Sequence, residues 1–99
     1  MSESKLQEDV EVAINAYERL IGYPATRTRE MIARYGTVPA LTRLVSDSKI
    51  QSGLKVLAKS GKLELSFEAV IVRHKVVFSK AAVQAAEWRL QRAAAGDFS

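Results

Sequence analysis

Few residues of this chain are of a type that could do acid–base or metal chemistry. The sequence contains no cysteine and one histidine, which excludes disulfides, thiolate metal sites, cysteine nucleophiles and any site that needs two imidazoles. That histidine, His74, stands between Arg73 and Lys75, and two adjacent cations repel a metal ion. We therefore interpret His74 as a surface residue.

A second candidate for catalysis is the pair Glu64 and Glu68, which lie four residues apart. Two carboxylates act together as acid and base only where burial or a metal makes them unequal, and the sequence indicates neither. We interpret both as helix-cap and surface residues. Gly61-Lys62 is not a phosphate loop because it lacks the glycine five residues earlier. The sequence thus predicts a non-enzymatic protein with no cofactor and no metal site.

The charge of the chain is unevenly distributed. Residues 1–18 carry one lysine against five acidic residues, a net charge of −4. Residues 19–99 carry fourteen basic against six acidic residues, a net charge of +8. A basic body of this kind attracts nucleic acid, and the plain alternative is a solvated surface that happens to be basic.

Five basic residues are the candidates for nucleic-acid binding. Lys55, Lys59 and Lys62 follow a spacing of four and three that places them on one helical edge, where they could neutralise phosphates. Arg27 and Arg29 are the other two candidates, if the fold brings them close to these lysines. No aromatic residue interleaves with these bases, so stacking on a single strand lacks support and we predict weak duplex binding.

A competing hypothesis is a protein-interaction or homodimerisation domain. Trp88 lies off the apolar stripe of the last predicted helix, so either that helix is buried on two sides or Trp88 lies at an interface, where tryptophan is enriched. We favour the buried position for Trp88. Tyr23 is the second interface candidate, and Val76 with Val77 is the third.

Apolar spacing of three and four residues predicts one all-α domain over residues 1–99, a compact bundle of five to six short helices. Gly22, Gly36 and Gly61 are expected to end helices, and Thr37, Ser48 and Ser79 to cap them. The predicted helices span residues 5–21, 25–35, 37 onward, 49–60 and 80–95. The predicted inward residues include Leu6, Val10, Ala13, Tyr17 and Leu20 in the first helix, Thr28, Met31, Ile32 and Tyr35 in the second, Ile50 in the fourth, and Val83, Ala86 and Leu90 in the last.

Residues 62–78 can be interpreted in two ways. Their β-branched content favours strands, and a two-stranded wing at 63–78 with a recognition helix at 49–60 would make a winged helix. Ser66 followed by Glu68 is, however, a helix start, because an acid in the first turn meets the helix dipole. No Asn-Gly or Asp-Gly turn marks a hairpin. We therefore predict a short helix at 66–73 and keep the winged helix as the alternative.

Three segments resemble a family of small bacterial helical domains of unknown function, over about residues 10–92. They are Gly22-Tyr23-Pro24-Ala25-Thr26-Arg27, then Gly61-Lys62-Leu63-Glu64-Leu65-Ser66-Phe67-Glu68-Ala69, and finally Ala86-Glu87-Trp88-Arg89-Leu90. The chain departs from the pattern at Leu54 and Ala58, where the family has an aromatic pair. The resemblance implies a helical bundle and brings no activity. It leaves open whether Arg27 binds a ligand or joins two helices.

The N-terminal segment has no apolar signal core, and no apolar run approaches the ~20 residues of a membrane span. We therefore expect a cytoplasmic protein without a membrane partner.

Overall fold

The structure, a computed structural model, describes residues 2–46 and 52–97. It contains six α-helices there and no strand, so the all-α bundle is confirmed. Short 3-10 turns at Leu63–Leu65 and Lys75–Val77 flank the fifth helix. None of the described helices combines the length and the apolar character needed to cross a membrane. The helices are α1 Ser2–Ile21, α2 Thr26–Tyr35, α3 Thr37–Ser46, α4 Ser52–Lys59, α5 Phe67–Arg73 and α6 Lys80–Ala94.

The ambiguous stretch 62–78 is helical, and the winged-helix alternative is wrong. Ser66 is the N-cap of α5, and its side-chain oxygen accepts a hydrogen bond from the backbone N–H of Ala69 at 3.1 Å. The β-branched Val70 and Ile71 are completely buried. Their packing in a helix stabilises the fold more than their strand propensity opposes it.

The predicted helix ends are confirmed at Gly22, Gly36 and Gly61, each of which has a positive φ. Gly36 shows why glycine is needed at such a helix end. It ends α2 with a φ of +89°, and α3 begins at the next residue. A residue with a side chain is strained in that conformation, so this tight connection between two helices requires glycine. Ser79 caps α6 as predicted, accepting from the N–H of Ala82.

One core cluster joins α1, α3, α5 and α6, and α5 packs most extensively against α6. Several details differ from the prediction. Thr37, predicted to cap α3, is the first residue of that helix, and Gly36 occupies the cap position. Helix α1 begins at Ser2 rather than residue 5, and Leu20 near its end is partly exposed. In α6 the buried residues are not Val83 and Leu90, which were predicted to face inward and are half-buried, but mostly the residues one position before them. The buried residues of α6 are Ala82, Ala86, Arg89 and Ala93. The predicted cap Ser48 and the inward residue Ile50 lie outside the described residues.

Helix α2 is the peripheral helix of the bundle, and none of its residues is buried. It packs mainly against α3, to which Gly36 connects it directly. Tyr35, predicted to face inward, is 40% exposed. The periodicity of α2 placed Tyr35 correctly on a face with Met31 and Ile32, but α3 covers that face only in part. The exposed part of the α2–α3 pair forms the candidate site.

Candidate nucleic-acid interface

Three arginines line one open groove formed by α2 and α3. Arg27 and Arg34 come from α2 and Arg43 from α3, and all three side chains are exposed. The groove has a volume of about 890 Å³. We call it the arginine groove, and its remaining lining residues are Glu30, Met31, Ala33 and Tyr35.

The cations of the arginine groove are not neutralised by any described residue. None of the three arginines forms an ion pair with a carboxylate among residues 5–46 and 53–97. Arg43 instead lies over the ring of Tyr35, with 4.1 Å from the guanidinium carbon to the ring centroid. Glu30 is the one carboxylate among the described lining residues. The groove therefore presents guanidinium groups and one aromatic ring to solvent, with a surplus of positive charge.

Arg29, a predicted nucleic-acid contact, lies elsewhere on α2 and is engaged within the protein. Its guanidinium donates to Glu18 at 2.8 Å, to Glu11 at 3.1 Å and to Asn15 at 3.2 Å. Glu18 also accepts from the backbone N–H of Ala25 at 2.7 Å. Arg29 therefore ties α2 to α1 and is not available to the groove.

This contact has an electrostatic consequence for Glu18. Hydrogen bonds from Arg29, and next from the Ala25 N–H, lower the pKa of Glu18 from 4.5 to about 2. The hydrogen bonds that Arg29 donates to Glu18 and Glu11 raise the pKa of Arg29. Both groups stay charged over the physiological range.

The structure does not gather the five predicted basic residues at one place. Arg27 lines the arginine groove, whereas Lys55, Lys59 and Lys62 are exposed residues that do not line it. Helix α4, which carries the first two lysines, packs against α6, α1 and the turn at Leu63–Leu65.

Arg34, Arg43 and Tyr35 line the groove but were not among the site residues predicted from the sequence. The position of Arg34 could have been inferred, because Arg27 and Arg34 are seven residues apart and two helical turns bring them to the same face. Nothing in the local sequence indicated that Arg43 of the next helix would lie beside them. That proximity depends on the angle at which α2 and α3 meet.

The two interface candidates are exposed but lie on different elements. Trp88, in the middle of α6, is 46% exposed, so the buried position we favoured for it is wrong. The guanidinium carbon of Arg92 lies 4.7 Å from the Trp88 ring centroid, and Arg92 forms an ion pair with Asp97. Tyr23 is 65% exposed at the connection between α1 and α2, and Val76 is exposed before α6.

The candidates for acid–base chemistry have structural partners. His74 is not a free surface residue, because its Nε2 lies 2.6 Å from Asp9 Oδ2 and its side chain is largely buried. The hydrogen bond with His74 lowers the pKa of Asp9, and Lys5 and Arg73 add to the shift. No group of three potential metal ligands occurs in the described part of the chain.

Glu68 and Glu64 do not form a carboxylate pair. Glu68 is buried, not a surface residue as predicted, and accepts a hydrogen bond from Arg89 Nε at 2.9 Å. Glu64 is exposed. Arg89, 1% exposed, lies among the small residues Ala82, Ala86 and Ala93 of α6, which leave room for a long side chain.

Comparison of the chain with protein-family models, curated proteins and solved structures found no match. The resemblance to small bacterial helical domains therefore stays a prediction from the sequence.

Proposed function

We propose that this domain binds nucleic acid through the arginine groove and is not an enzyme. The observation that carries the proposal is the convergence of Arg27, Arg34 and Arg43 on one groove, where none of them has a carboxylate partner among the described residues. Like charges held together raise the free energy of the protein, and phosphate oxygens would offset that cost by accepting hydrogen bonds from guanidinium groups.

Four arginines outside the groove contrast with the three inside it. Arg29, Arg73, Arg89 and Arg92 each form an ion pair with a carboxylate. In contrast, Arg27, Arg34 and Arg43 line one groove and have no carboxylate partner in the part of the chain that the structure describes. A groove with three guanidinium groups and a single carboxylate suits binding of a polyanion better than acid–base catalysis.

Fluorescence anisotropy with a labelled oligonucleotide at low salt tests the proposal. We expect binding that weakens steeply with salt, with a slope of log K against log salt of about −2 to −3 for three phosphate contacts. The triple variant R27A/R34A/R43A should lose most of this binding.

The triple variant K55A/K59A/K62A is the matched control, because it removes the same charge from another surface. Circular dichroism should show that both triple variants remain helical. If the lysine variant loses as much affinity as the arginine variant, diffuse positive charge causes the binding and the groove is not the site. Absence of binding by the unmodified chain at low salt would refute the proposal outright.

Association through an exposed aromatic residue is the second candidate function. It is supported by the exposure of Trp88, since a half-exposed tryptophan is a common anchor of protein interfaces. Sedimentation equilibrium should then show a dimer that Trp88→Ala weakens. A monomer at high protein concentration would contradict homodimerisation.

A further inference from the structure

We infer that the arginine groove takes a single strand, with one unpaired base stacked on the Arg43–Tyr35 pair and neighbouring phosphates on Arg27 and Arg34. This inference rests on the proposed function and specifies its ligand. It differs from the duplex binding predicted from the sequence, because the structure places an aromatic residue among the basic ones.

The spacing of the two α2 arginines suits a run of phosphates. Seven residues of α-helix advance about 10 Å along the axis and return to the same face. Arg27 and Arg34 can therefore contact two separate phosphates of one strand lying along α2. Arg43, from α3, also lines the groove and lies over the ring of Tyr35.

The Arg43–Tyr35 pair is a stacking platform. Its two groups lie 4.1 Å apart, from the guanidinium carbon to the ring centroid, and both side chains are exposed. Aromatic rings and guanidinium planes are the groups on which unpaired bases stack in single-strand complexes. Met31, a flexible apolar side chain in the same lining, adds a surface for the face of a base.

The shape of the site argues against a duplex. Sequence-reading duplex binders insert a protruding helix or ribbon into the major groove. Here the basic residues line a depression between the peripheral helix α2 and the exposed side of α3. A depression of this kind can bind a single strand. In a duplex the bases are paired and stacked on one another, so none of them would be available to stack on Tyr35.

The experiment compares twelve-residue oligo(dT) and oligo(rU) with a hairpin duplex at one salt concentration, by anisotropy. We expect both single strands to bind at least tenfold more tightly than the duplex. Tyr35→Ala should weaken single-strand binding about tenfold, whereas Tyr35→Phe, which keeps the ring, should retain it. Tyr35→Ala should leave the salt slope unchanged, because the tyrosine contacts no phosphate.

Matched controls make the outcomes distinct. Tyr23→Ala removes an exposed tyrosine outside the groove and should not affect binding. Duplex binding as tight as single-strand binding, or an unaltered affinity in Tyr35→Ala, would overturn the inference while leaving the proposed function intact. No binding of any of the three oligonucleotides would overturn the proposed function itself.

Discussion

Arginine serves opposite purposes at the α5–α6 contact and in the arginine groove. At the first, Arg89 is buried and its Nε donates to Glu68 at 2.9 Å. In the second, three exposed arginines have no carboxylate partner in the described ranges. The free energy of a buried charge is so high that a partner is obligatory, whereas an exposed guanidinium can remain unpaired in water. The comparison indicates that the interior pair specifies how α5 and α6 pack, and that the groove residues are free to contact a ligand.

The largest effect should come from breaking the buried pair. Glu68→Ala removes the carboxylate that accepts from the Nε of the buried Arg89, and we expect a loss of about 3–5 kcal/mol in the free energy of unfolding. Urea denaturation followed by circular dichroism measures this. Glu64→Ala, an exposed residue four positions earlier, should change the free energy by less than about 0.5 kcal/mol. Equal effects of the two substitutions would contradict a structural role for the pair.

Arg29 is intermediate between the buried Arg89 and the exposed arginines of the groove, since it is paired but partly exposed. The loss of stability on its removal should depend on pH. The folded pKa of Glu18 is lowered to about 2 from 4.5, so its contribution to stability is present above pH 4.5 and is lost as pH falls toward 2. Arg29→Ala should lower stability at pH 7 and reduce its decline over that acidic range. Urea denaturation at several pH values measures both changes.

Hydrogen exchange offers an independent check on Arg29, because this residue joins α2 to α1. We expect faster amide exchange in α2 of the Arg29→Ala variant, with little change in α5 and α6. A uniform increase throughout the chain would show that Arg29 stabilises the whole bundle rather than the position of α2.

The smallest effect on stability should come from the arginine groove. Removal of Arg27 or Arg34 singly should change the free energy of unfolding by less than about 0.5 kcal/mol, because both side chains are exposed and have no carboxylate partner among the described residues. Removal of Arg43, which lies over the Tyr35 ring, should cost less than about 1 kcal/mol. Thermal denaturation of the three alanine variants measures this. A loss above about 1 kcal/mol in any of them would mean that the residue supports the fold, which would weaken its assignment to ligand binding.

The sequence by itself determined the local structure. Helix ends at Gly22, Gly36 and Gly61 and the caps at Ser66 and Ser79 follow from residues close in the chain, and the structure confirms them. The choice of helix over strand at 66–73 was correct for the same reason. A capping hydroxyl acts on a backbone group three residues away, so its effect can be inferred without knowledge of the rest of the molecule.

Tertiary structure alone decided which faces are covered and which charges meet. Periodicity places Tyr35 and Met31 on one face of α2, but only the packing of α3 shows that Tyr35 stays partly exposed. Periodicity likewise cannot reveal that Glu68 contacts Arg89, twenty-one residues later, or that Arg43 and Arg27 line one groove. Such contacts depend on the angles at which helices cross, and those angles result from the packing of all the side chains together.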